Sequence, residues 1–330
     1  MSIKFASTVG VNFSNTFQSK PISATKAASQ IKGMGVGIVK MFNYTQTDFI
    51  DAAKAEGLQV IIDIPNDGLK DLSNNNTSAV VDVVKKYSDT IVMVCVGNEP
   101  LGSWWGGAYN DLLVPAIQNL NTALIAAKVP TPLTVPFNFA IMGTSYPPSR
   151  GALNSSYTSI VSSVCDVIKS SGGVFMVNIY PFLDVNSNPS IPLPYCLFTA
   201  TSSDWVQDGS YTYKNIFDAS YDALFVALTA IGHGDLSIAV GECGWPTGPS
   251  ASYVAATTAN ATTFNQNLIT HCKSGAGTPR VPNVPINCFI FEMYDEDTKS
   301  TAPGEFERHW GVCDANGTEK YSLNVLTAAL

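Results

Sequence analysis

The sequence is poor in charged residues, and basic residues are the scarcer kind. Only 13% of the 330 residues are Asp, Glu, Lys or Arg, and 18 basic residues stand against 26 acidic ones, for a net charge of −8. The lysines and arginines form no cluster. Because an acidic surface repels polyphosphates and anionic headgroups, the composition argues against nucleic acid or an anionic membrane as a partner, and it permits a neutral polysaccharide.

Metal and membrane signals are also missing. The seven cysteines show no C-x-x-C spacing and the three histidines pair with no Cys or Ser motif, so we expect no metal site. No apolar stretch is long enough to span a membrane, and no signal-peptide core precedes the first strand. Cys95 and Cys288 fall in apolar runs and are predicted to be buried core residues.

What the sequence does contain is a regular alternation of buried strands and amphipathic helices. The predicted strands are 8–13, 37–42, 58–64, 91–99, 133–137, 174–180, 236–242 and 286–292. The predicted helices are 23–33, 47–56, 78–87, 112–128, 157–170, 216–231 and 253–272. Without a break in composition, this alternation predicts an α/β protein with a single (β/α)8 TIM barrel spanning residues 1–330.

A doubly wound open sheet is the alternative architecture, but the first strand-to-helix turn has no G-x-G-x-x-G motif. The longest irregular segments also follow predicted strands rather than helices. Long loops at that end of a barrel are where binding surfaces are built. These segments are 104–109, 138–154, 181–213 and 295–310.

Two glutamates end buried apolar runs at predicted strands four and seven. Glu99 closes the run that begins at residue 91, and Glu242 closes the run that begins at residue 236. The carboxyl ends of these strands face each other across the mouth of a barrel. Paired carboxylates are the groups that cleave glycosidic bonds. The alternative is that either glutamate is only a strand-end residue satisfied by a local hydrogen bond.

The two carboxylates would take different roles in a retaining mechanism, which needs them about 5–5.5 Å apart. We expect Glu242 to stay ionised and attack the anomeric carbon, and Glu99, in a less polar place, to keep a proton for the leaving oxygen. Esterification of Glu242 would lower the pKa of Glu99, which then acts as a base. Asn98 is predicted to contact a sugar 2-hydroxyl, with a turn-forming role as the alternative.

Aromatic residues are frequent in the segments after the strands, and apolar sugar faces stack on such rings. Any single ring could instead be a core residue, but Trp104 and Trp105 stand among glycines that offer little to bury them. Glu296 and Lys299 could form an ion pair that orients the nucleophile, or they could lie in a solvated loop. The aromatic candidates are Trp104, Trp105, Tyr146, Tyr180, Phe182, Trp245, Phe291, Tyr294 and Trp310, of which Tyr180, Trp245, Phe291 and Tyr294 are predicted to bind substrate.

Several motifs resemble the plant β-1,3-glucanases of glycoside hydrolase family 17, and together they cover nearly the whole chain. They are Val-Gly-Asn-Glu at 96–99, Val-Asn-Ile-Tyr-Pro-Phe at 177–182, Gly-Glu-Cys-Gly-Trp-Pro at 241–246 and Phe-Glu-Arg-His-Trp-Gly at 306–311. The stretches at 39–42, 64–67 and 98–100 are more similar to the plasmodesma-associated, often lipid-anchored branch than to the pathogenesis-related one.

This resemblance implies a (β/α)8 barrel that works as a retaining endo-1,3-β-glucosidase without a cofactor. The implied substrate is a 1,3-β-glucan of the callose or laminarin type. It implies that Glu99 is the acid/base and Glu242 the nucleophile. It also implies a supporting network of Glu296, Lys299 and Glu307 beside the nucleophile.

The branch often carries a signal peptide, a carbohydrate-binding module and an anchor signal, so we expect residues 1–330 to be the catalytic domain alone. We expect a monomer that is secreted to the apoplast or cell wall, with the vacuole as the less expected site and plant defence as one role. Sequons support secretion and glycosylation only weakly, since chance would produce several. They begin at Asn12, Asn43, Asn75, Asn76, Asn154, Asn260 and Asn316.

The chain departs from the pathogenesis-related members at four positions. Lys40 and Phe42 stand where those members usually have Arg and Tyr, and Asn43 and Cys243 are further departures. A missing Tyr hydroxyl beside the site bears on sugar binding and rate rather than on the fold.

Two other functions remain open. A 1,3-β-glucanosyltransferase would use the same covalent intermediate but pass the sugar to a second glucan instead of water. A weakly active, glucan-binding wall protein is the other possibility, motivated by Lys40 and Phe42. The presence of both carboxylates argues against the wall protein, since a pure binder has no need for them.

Overall fold

The structure, a computed structural model, describes residues 9–323. Nine of the thirteen strands in this part of the chain form a central parallel sheet, and the other four form two separate hairpins. In chain order the strands are β1 (Val9–Phe13), β2 (Ile38–Met41), β3 (Gln59–Ile64), β4 (Ile91–Val96), β5 (Leu133–Thr134), β6 (Pro136–Asn138), β7 (Met142–Thr144), β8 (Ala152–Leu153), β9 (Phe175–Asn178), β10 (Val206–Asp208), β11 (Tyr211–Tyr213), β12 (Ile238–Cys243) and β13 (Asn287–Ile290). Residue 8, the predicted start of the first strand, lies outside the described residues.

The nine strands occupy eight positions of a barrel, because β5 and β6 share one. Their order is β5-β4-β3-β2-β1-β13-β12-β9-β6. Strand β5 pairs with β4 and β6 pairs with β9, and only Val135 separates β5 from β6 in the chain. The two ends of the strand order therefore meet, and the predicted (β/α)8 barrel is confirmed.

Helices alternate with the barrel strands. In chain order they are α1 (Ala24–Gly33), α2 (Thr47–Ala55), α3 (Leu69–Ser73), α4 (Ser78–Lys86), α5 (Asn110–Ala126), α6 (Thr158–Ser171), α7 (Pro181–Ser187), α8 (Leu193–Cys196), α9 (Ile216–Ala230) and α10 (Thr258–Lys273). Ser23, Asn215 and Thr257 cap α1, α9 and α10 by accepting the N–H of the residue three positions on. The cap at Thr257 explains why α10 starts five residues after its predicted start at 253.

Apolar side chains pack on both faces of the barrel strands, which explains the unbroken apolar runs in the sequence. In β4, Cys95 belongs to the core inside the barrel, whereas Val94 belongs to the core between the sheet and the helices. Cys95 and Cys288 are fully buried in β4 and β13, as predicted. A β-carbon at Gly10 would lie 2.4 Å from the Phe289 ring, which fills the interior. A filled interior leaves the end of the barrel as the place for a site.

The loops that follow barrel strands are here called the exit loops, and they contain most of the elements that were not predicted. These elements are the short helices α3, α7 and α8 and the hairpins β7–β8 and β10–β11. None of these elements is longer than seven residues, too short for a periodic pattern to identify. Three predicted strands also end at least two residues early: β4 stops at Val96 rather than 99, β9 at Asn178 rather than 180, and β13 at Ile290 rather than 292.

Within residues 9–323, no three His, Cys, Asp or Glu side chains are grouped so as to hold a metal ion. In the same part of the chain, no helix has both the length and the apolar character needed to cross a membrane.

Candidate active site

Glu99 lies in a tight turn just beyond β4. Gly97 and Glu99 both have left-handed backbones, with φ of 79° and 50°. A β-carbon at Gly97 would lie 2.6 Å from Oδ1 of Asn66, so glycine is required there. Asn66 brackets the turn, donating to the carbonyl oxygen of Asn98 at 2.7 Å and accepting from its N–H at 2.9 Å. These contacts hold Glu99 in a conformation that costs a non-glycine residue about 1–3 kcal/mol.

The Glu99 carboxyl is half-buried and accepts two amide hydrogen bonds at Oε1. Asn138 donates at 3.0 Å and Asn178 at 2.9 Å. Burial raises the pKa of Glu99 to about 7, the charge of Glu242 adds to the rise, and the two amide donors oppose it. A large share of Glu99 is therefore protonated at neutral pH, which suits a general acid.

Glu242 lies in β12 and is buried, and its hydrogen-bond donors are stronger than the two amides that donate to Glu99. The Lys40 ammonium donates to its Oε1 at 3.2 Å, and the Tyr180 hydroxyl donates to its Oε2 at 2.7 Å. A register shift against β9 after Val240 sets Glu242 opposite Asn178. A cation donates to one oxygen and a phenol to the other, which fixes the position of the carboxylate, as suits a nucleophile.

Asn178 connects the two glutamates. It is the strand partner of Glu242, and its side chain donates to Glu99. Burial raises the pKa of Tyr180 well above its usual value, and the charges of both glutamates add to that rise. The structure thus brings Glu99 and Glu242 to one site with unlike surroundings, amides around the first and a cation with a phenol around the second.

Lys40, noted in the sequence only as a departure, is a fully buried cation in this site. Its ammonium lies 3.4 Å from Oδ1 of Asn98, 3.9 Å from Oδ2 of Asp63 and 4.0 Å from the centre of the Phe42 ring. Burial acts to lower the pKa of Lys40, but the charges of Glu242 and Asp63 outweigh it and the pKa is raised. Burial also raises the pKa of Asp63 well above its usual value, against the effect of Lys40.

The side-chain oxygen of Asn98 faces Lys40, which turns the amide NH2 group away from the ammonium. The contact of this NH2 group with a sugar 2-hydroxyl stays a prediction. Asn98 is half-buried, so part of its side chain remains accessible.

Lys299 joins Glu296 and Glu307 in an ion-pair network. Its ammonium lies 3.4 Å from Oε2 of Glu296 and 3.2 Å from Oε2 of Glu307. Glu296 is buried, so of the two alternatives the structure contains the ion pair and not the solvated loop. Burial raises the pKa of Glu307, Lys299 opposes this, and the charge of Glu242 adds to it. The network therefore lies within electrostatic range of Glu242.

The four aromatic residues predicted to bind substrate fall into two groups. Tyr180 is half-buried beside Glu242, and the Phe291 ring meets the Tyr180 ring edge-on with centroids 5.9 Å apart. Trp245 is 0% and Tyr294 1% exposed. The Trp245 indole N–H donates to a backbone carbonyl, and the Tyr294 hydroxyl donates to a side chain of α1. The structure places Trp245 and Tyr294 in the core, where neither can contact a sugar directly.

Four polar residues of the site had no role in the sequence-based prediction. They are Lys40 in β2, Asp63 in β3, Asn138 at the end of β6 and Asn178 at the end of β9. A polar residue within or at the end of an apolar strand is the signal that could have identified them, since it identified the two glutamates.

Comparisons with known proteins identify the relatives of this chain. The profile of "Glycosyl hydrolases family 17" matches residues 9–325. A glucan endo-1,3-beta-glucosidase of Vitis vinifera is 33% identical over 97% of this chain and 92% of that protein. Glucan endo-1,3-beta-glucosidase 5 of Arabidopsis thaliana is 32% identical over 96% of this chain, which spans only 66% of that protein's length.

A solved structure has the same architecture. The β-1,3-glucanase and allergen of Cryptomeria japonica pollen superposes with a TM-score of 0.90 at 31% identity, covering 96% of this chain and 99% of that one. The family profile matches nearly the whole chain, a relative is matched over 92% of its own length, and a solved structure has the same barrel, so this chain belongs to glycosyl hydrolase family 17.

Proposed function

We propose that this chain is an endo-acting, retaining hydrolase of 1,3-β-glucan. The observation that carries the proposal is the pair of glutamates with unlike surroundings at one site. Glu99 has a pKa raised to about 7, and Glu242 lies between the ammonium of Lys40 and the hydroxyl of Tyr180. The names of the relatives point to 1,3-β-glucan as the substrate.

The first chemical step forms a covalent glycosyl ester. A carboxylate oxygen of Glu242 attacks the anomeric carbon while the bond from that carbon to the glycosidic oxygen breaks. Protonated Glu99 gives its proton to the departing oxygen, so the leaving sugar departs as an alcohol. Lys40 and Tyr180 fix the carboxylate before the attack, which reduces the reorganisation that the step requires.

The second step releases the sugar and restores both carboxyl groups. The ester has no negative charge, so the contribution of Glu242 to the raised pKa of Glu99 disappears and that pKa falls. Ionised Glu99 then takes a proton from water, the water oxygen attacks the anomeric carbon, and the ester bond breaks. Two displacements at one carbon leave its configuration unchanged.

The test compares wild type with Glu242→Gln on laminarin. Release of reducing ends should fall to below about one thousandth of wild type, because the amide cannot act as the nucleophile. Glu305→Gln, which alters an exposed glutamate, serves as the matched control and should keep full activity. Proton NMR of the first products should show the β-anomer, whereas an initial α-anomer would contradict the retaining mechanism.

Two other outcomes would replace this proposal. Products longer than the starting laminari-oligosaccharide would show transfer to a second glucan instead of hydrolysis. Calorimetric binding of laminarin without turnover by wild type would indicate a binding protein. Equal activity of Glu242→Gln and wild type would exclude Glu242 as the nucleophile.

We also propose that the full protein is a secreted glycoprotein of the apoplast or cell wall, related to the lipid-anchored branch, and acts as a monomer in callose turnover or defence. Three sequon asparagines, Asn75, Asn76 and Asn316, are exposed and support glycan attachment, whereas Asn12 is fully buried. Expression of the full-length protein in plant cells should show wall fluorescence and a mass decrease on deglycosylation. Retention in the cytosol without a mass change would contradict this proposal.

A further inference from the structure

Within residues 9–323, every large aromatic side chain that is exposed lies in an exit loop. These aromatic residues are Phe17, Trp104, Trp105, Tyr146 and Trp205. Exposed large rings cost hydrophobic free energy unless a ligand covers them. The hairpin after Trp205 bonds Arg280 in the loop before β13, whereas Trp105 bonds Glu99, so the pair Trp104 and Trp105 indicates a binding surface beside the site.

Trp104 and Trp105 form the most strongly organised part of this surface. They lie in the 3-10 turn Ser103–Trp105, which follows directly from the turn that carries Glu99. The indole N–H of Trp105 donates to the backbone carbonyl of Glu99 at 3.2 Å, and its ring meets the Tyr109 ring edge-on with centroids 5.4 Å apart. Trp105 therefore anchors the turn to the acid residue.

Trp104 presents an open ring face. A β-carbon at Gly102 would lie 2.4 Å from Cζ2 of Trp104, so the indole lies across the glycine backbone. The side chain is nevertheless 57% exposed. The residue after the turn, Gly106, has a left-handed backbone with φ of 59°, a conformation that favours glycine. A ring supported on one side and open on the other is a platform for one flat apolar surface.

We propose that Trp104 is a stacking subsite for a glucosyl unit on the leaving-group side of the cleaved bond. This proposal rests on the proposed function. β-Glucosyl rings have apolar C–H faces that pack on indole. Glu99 protonates the oxygen that belongs to the leaving sugar, and the Trp104–Trp105 turn is bonded to Glu99 itself. The partners of the nucleophile, Lys40 and Tyr180, come from other strands, so the platform lies on the acid side of the bond.

The experiment measures Trp104→Ala on two substrates. With laminarihexaose, kcat/KM should fall about tenfold because the leaving sugar loses its stacking partner. With β-laminaribiosyl fluoride, whose leaving group is fluoride and not a sugar, kcat/KM should stay within about twofold of wild type. Trp104→Phe, which keeps a flat ring, should recover most of the activity on laminarihexaose. Ile125→Ala, equally exposed at 57% but at the C-terminal end of α5, is the matched surface control.

The possible failures are distinguishable. An unchanged kcat/KM on laminarihexaose would overturn the stacking subsite, and an equal loss on both substrates would overturn its assignment to the leaving-group side. If wild type hydrolyses neither substrate, the proposed function fails. The platform is then tested by calorimetry on Glu242→Gln, where adding Trp104→Ala should weaken laminarihexaose binding about tenfold. Unchanged binding there would overturn the platform as well.

Discussion

Replacing Glu99 by Gln should make the protein progressively more stable than wild type as the pH rises. Burial and the charge of Glu242 raise the pKa of Glu99 from its ordinary 4.5 to about 7 in the folded protein. A carboxyl with a raised pKa in the folded state contributes stability that is complete below its unfolded pKa and is lost as the pH rises through the folded pKa. Gln cannot ionise, and its carbonyl oxygen can still accept from Asn138 and Asn178.

The size of the effect follows from the two pKa values. With 4.5 for the unfolded chain and about 7 for the folded protein, ionisation of Glu99 costs about 1 kcal/mol of stability at pH 5 and about 3 kcal/mol at pH 8. The free energy of unfolding of Glu99→Gln relative to wild type should therefore increase by about 2.5 kcal/mol between pH 5 and pH 8.

Urea unfolding, followed by tryptophan fluorescence at pH 5, 6, 7 and 8, measures this difference directly. Glu305→Gln changes an exposed glutamate and controls for the general effect of removing one negative charge. Its stability curve should run parallel to that of wild type. If the Glu99→Gln curve is also parallel, Glu99 does not bind its proton more tightly in the folded protein, and its assignment as the neutral-pH acid is refuted.

Three further predictions concern the donors around the two carboxyl groups. The kcat/KM on laminarin should fall above a pH of about 7 as Glu99 loses its proton, and Asn178→Ala should move that fall to higher pH because it removes a donor that lowers the pKa of Glu99; an unmoved pH–rate profile would contradict this. Lys40→Met should lower the free energy of unfolding by about 3 kcal/mol and kcat by about a hundredfold or more, because it leaves buried carboxyl groups without their cation. Lys40→Arg, which keeps the charge, should stay within about tenfold in kcat, and equal behaviour of the two variants in urea titration and steady-state kinetics would contradict the prediction. Tyr180→Phe should lower kcat about tenfold with little change in KM, since it removes one donor from Glu242 but no apolar contact; unchanged kcat would show that this hydrogen bond has no part in the reaction.

The barrel and the catalytic pair could be predicted from local patterns. Each barrel strand is buried on both faces, so its sequence is an apolar run without polar alternation, and the two glutamates interrupt such runs. The turn at Glu99 could not be predicted in this way, because it depends on two hydrogen bonds between Asn66 and Asn98, residues 32 positions apart. The early end of β4 at Val96 follows from the same long-range contact.

The burial of individual side chains was harder to predict from the sequence than the barrel and the catalytic pair. Trp104 and Trp245 are the same residue type, each within two positions of a glycine, yet one is 57% exposed and the other fully buried. Trp245 is buried because Phe182 and Phe264 pack against it from α7 and α10, with ring centroids 5.4 and 5.1 Å away. Such contacts join positions far apart in the chain, and no local pattern records them.

The departures at Lys40 and Phe42, which motivated a weakly active binding protein, keep the elements that the nucleophile needs. The ammonium of Lys40 still lies over an aromatic ring and still contacts Glu242 at 3.2 Å. Its ammonium donates hydrogen bonds to Glu242 and Asn98 and forms an ion pair with Asp63 at 3.9 Å, and contacts with three separate residues suit a compact ammonium better than the planar fork of arginine. The two departures together therefore favour a working nucleophile over a binding protein that has lost its catalysis.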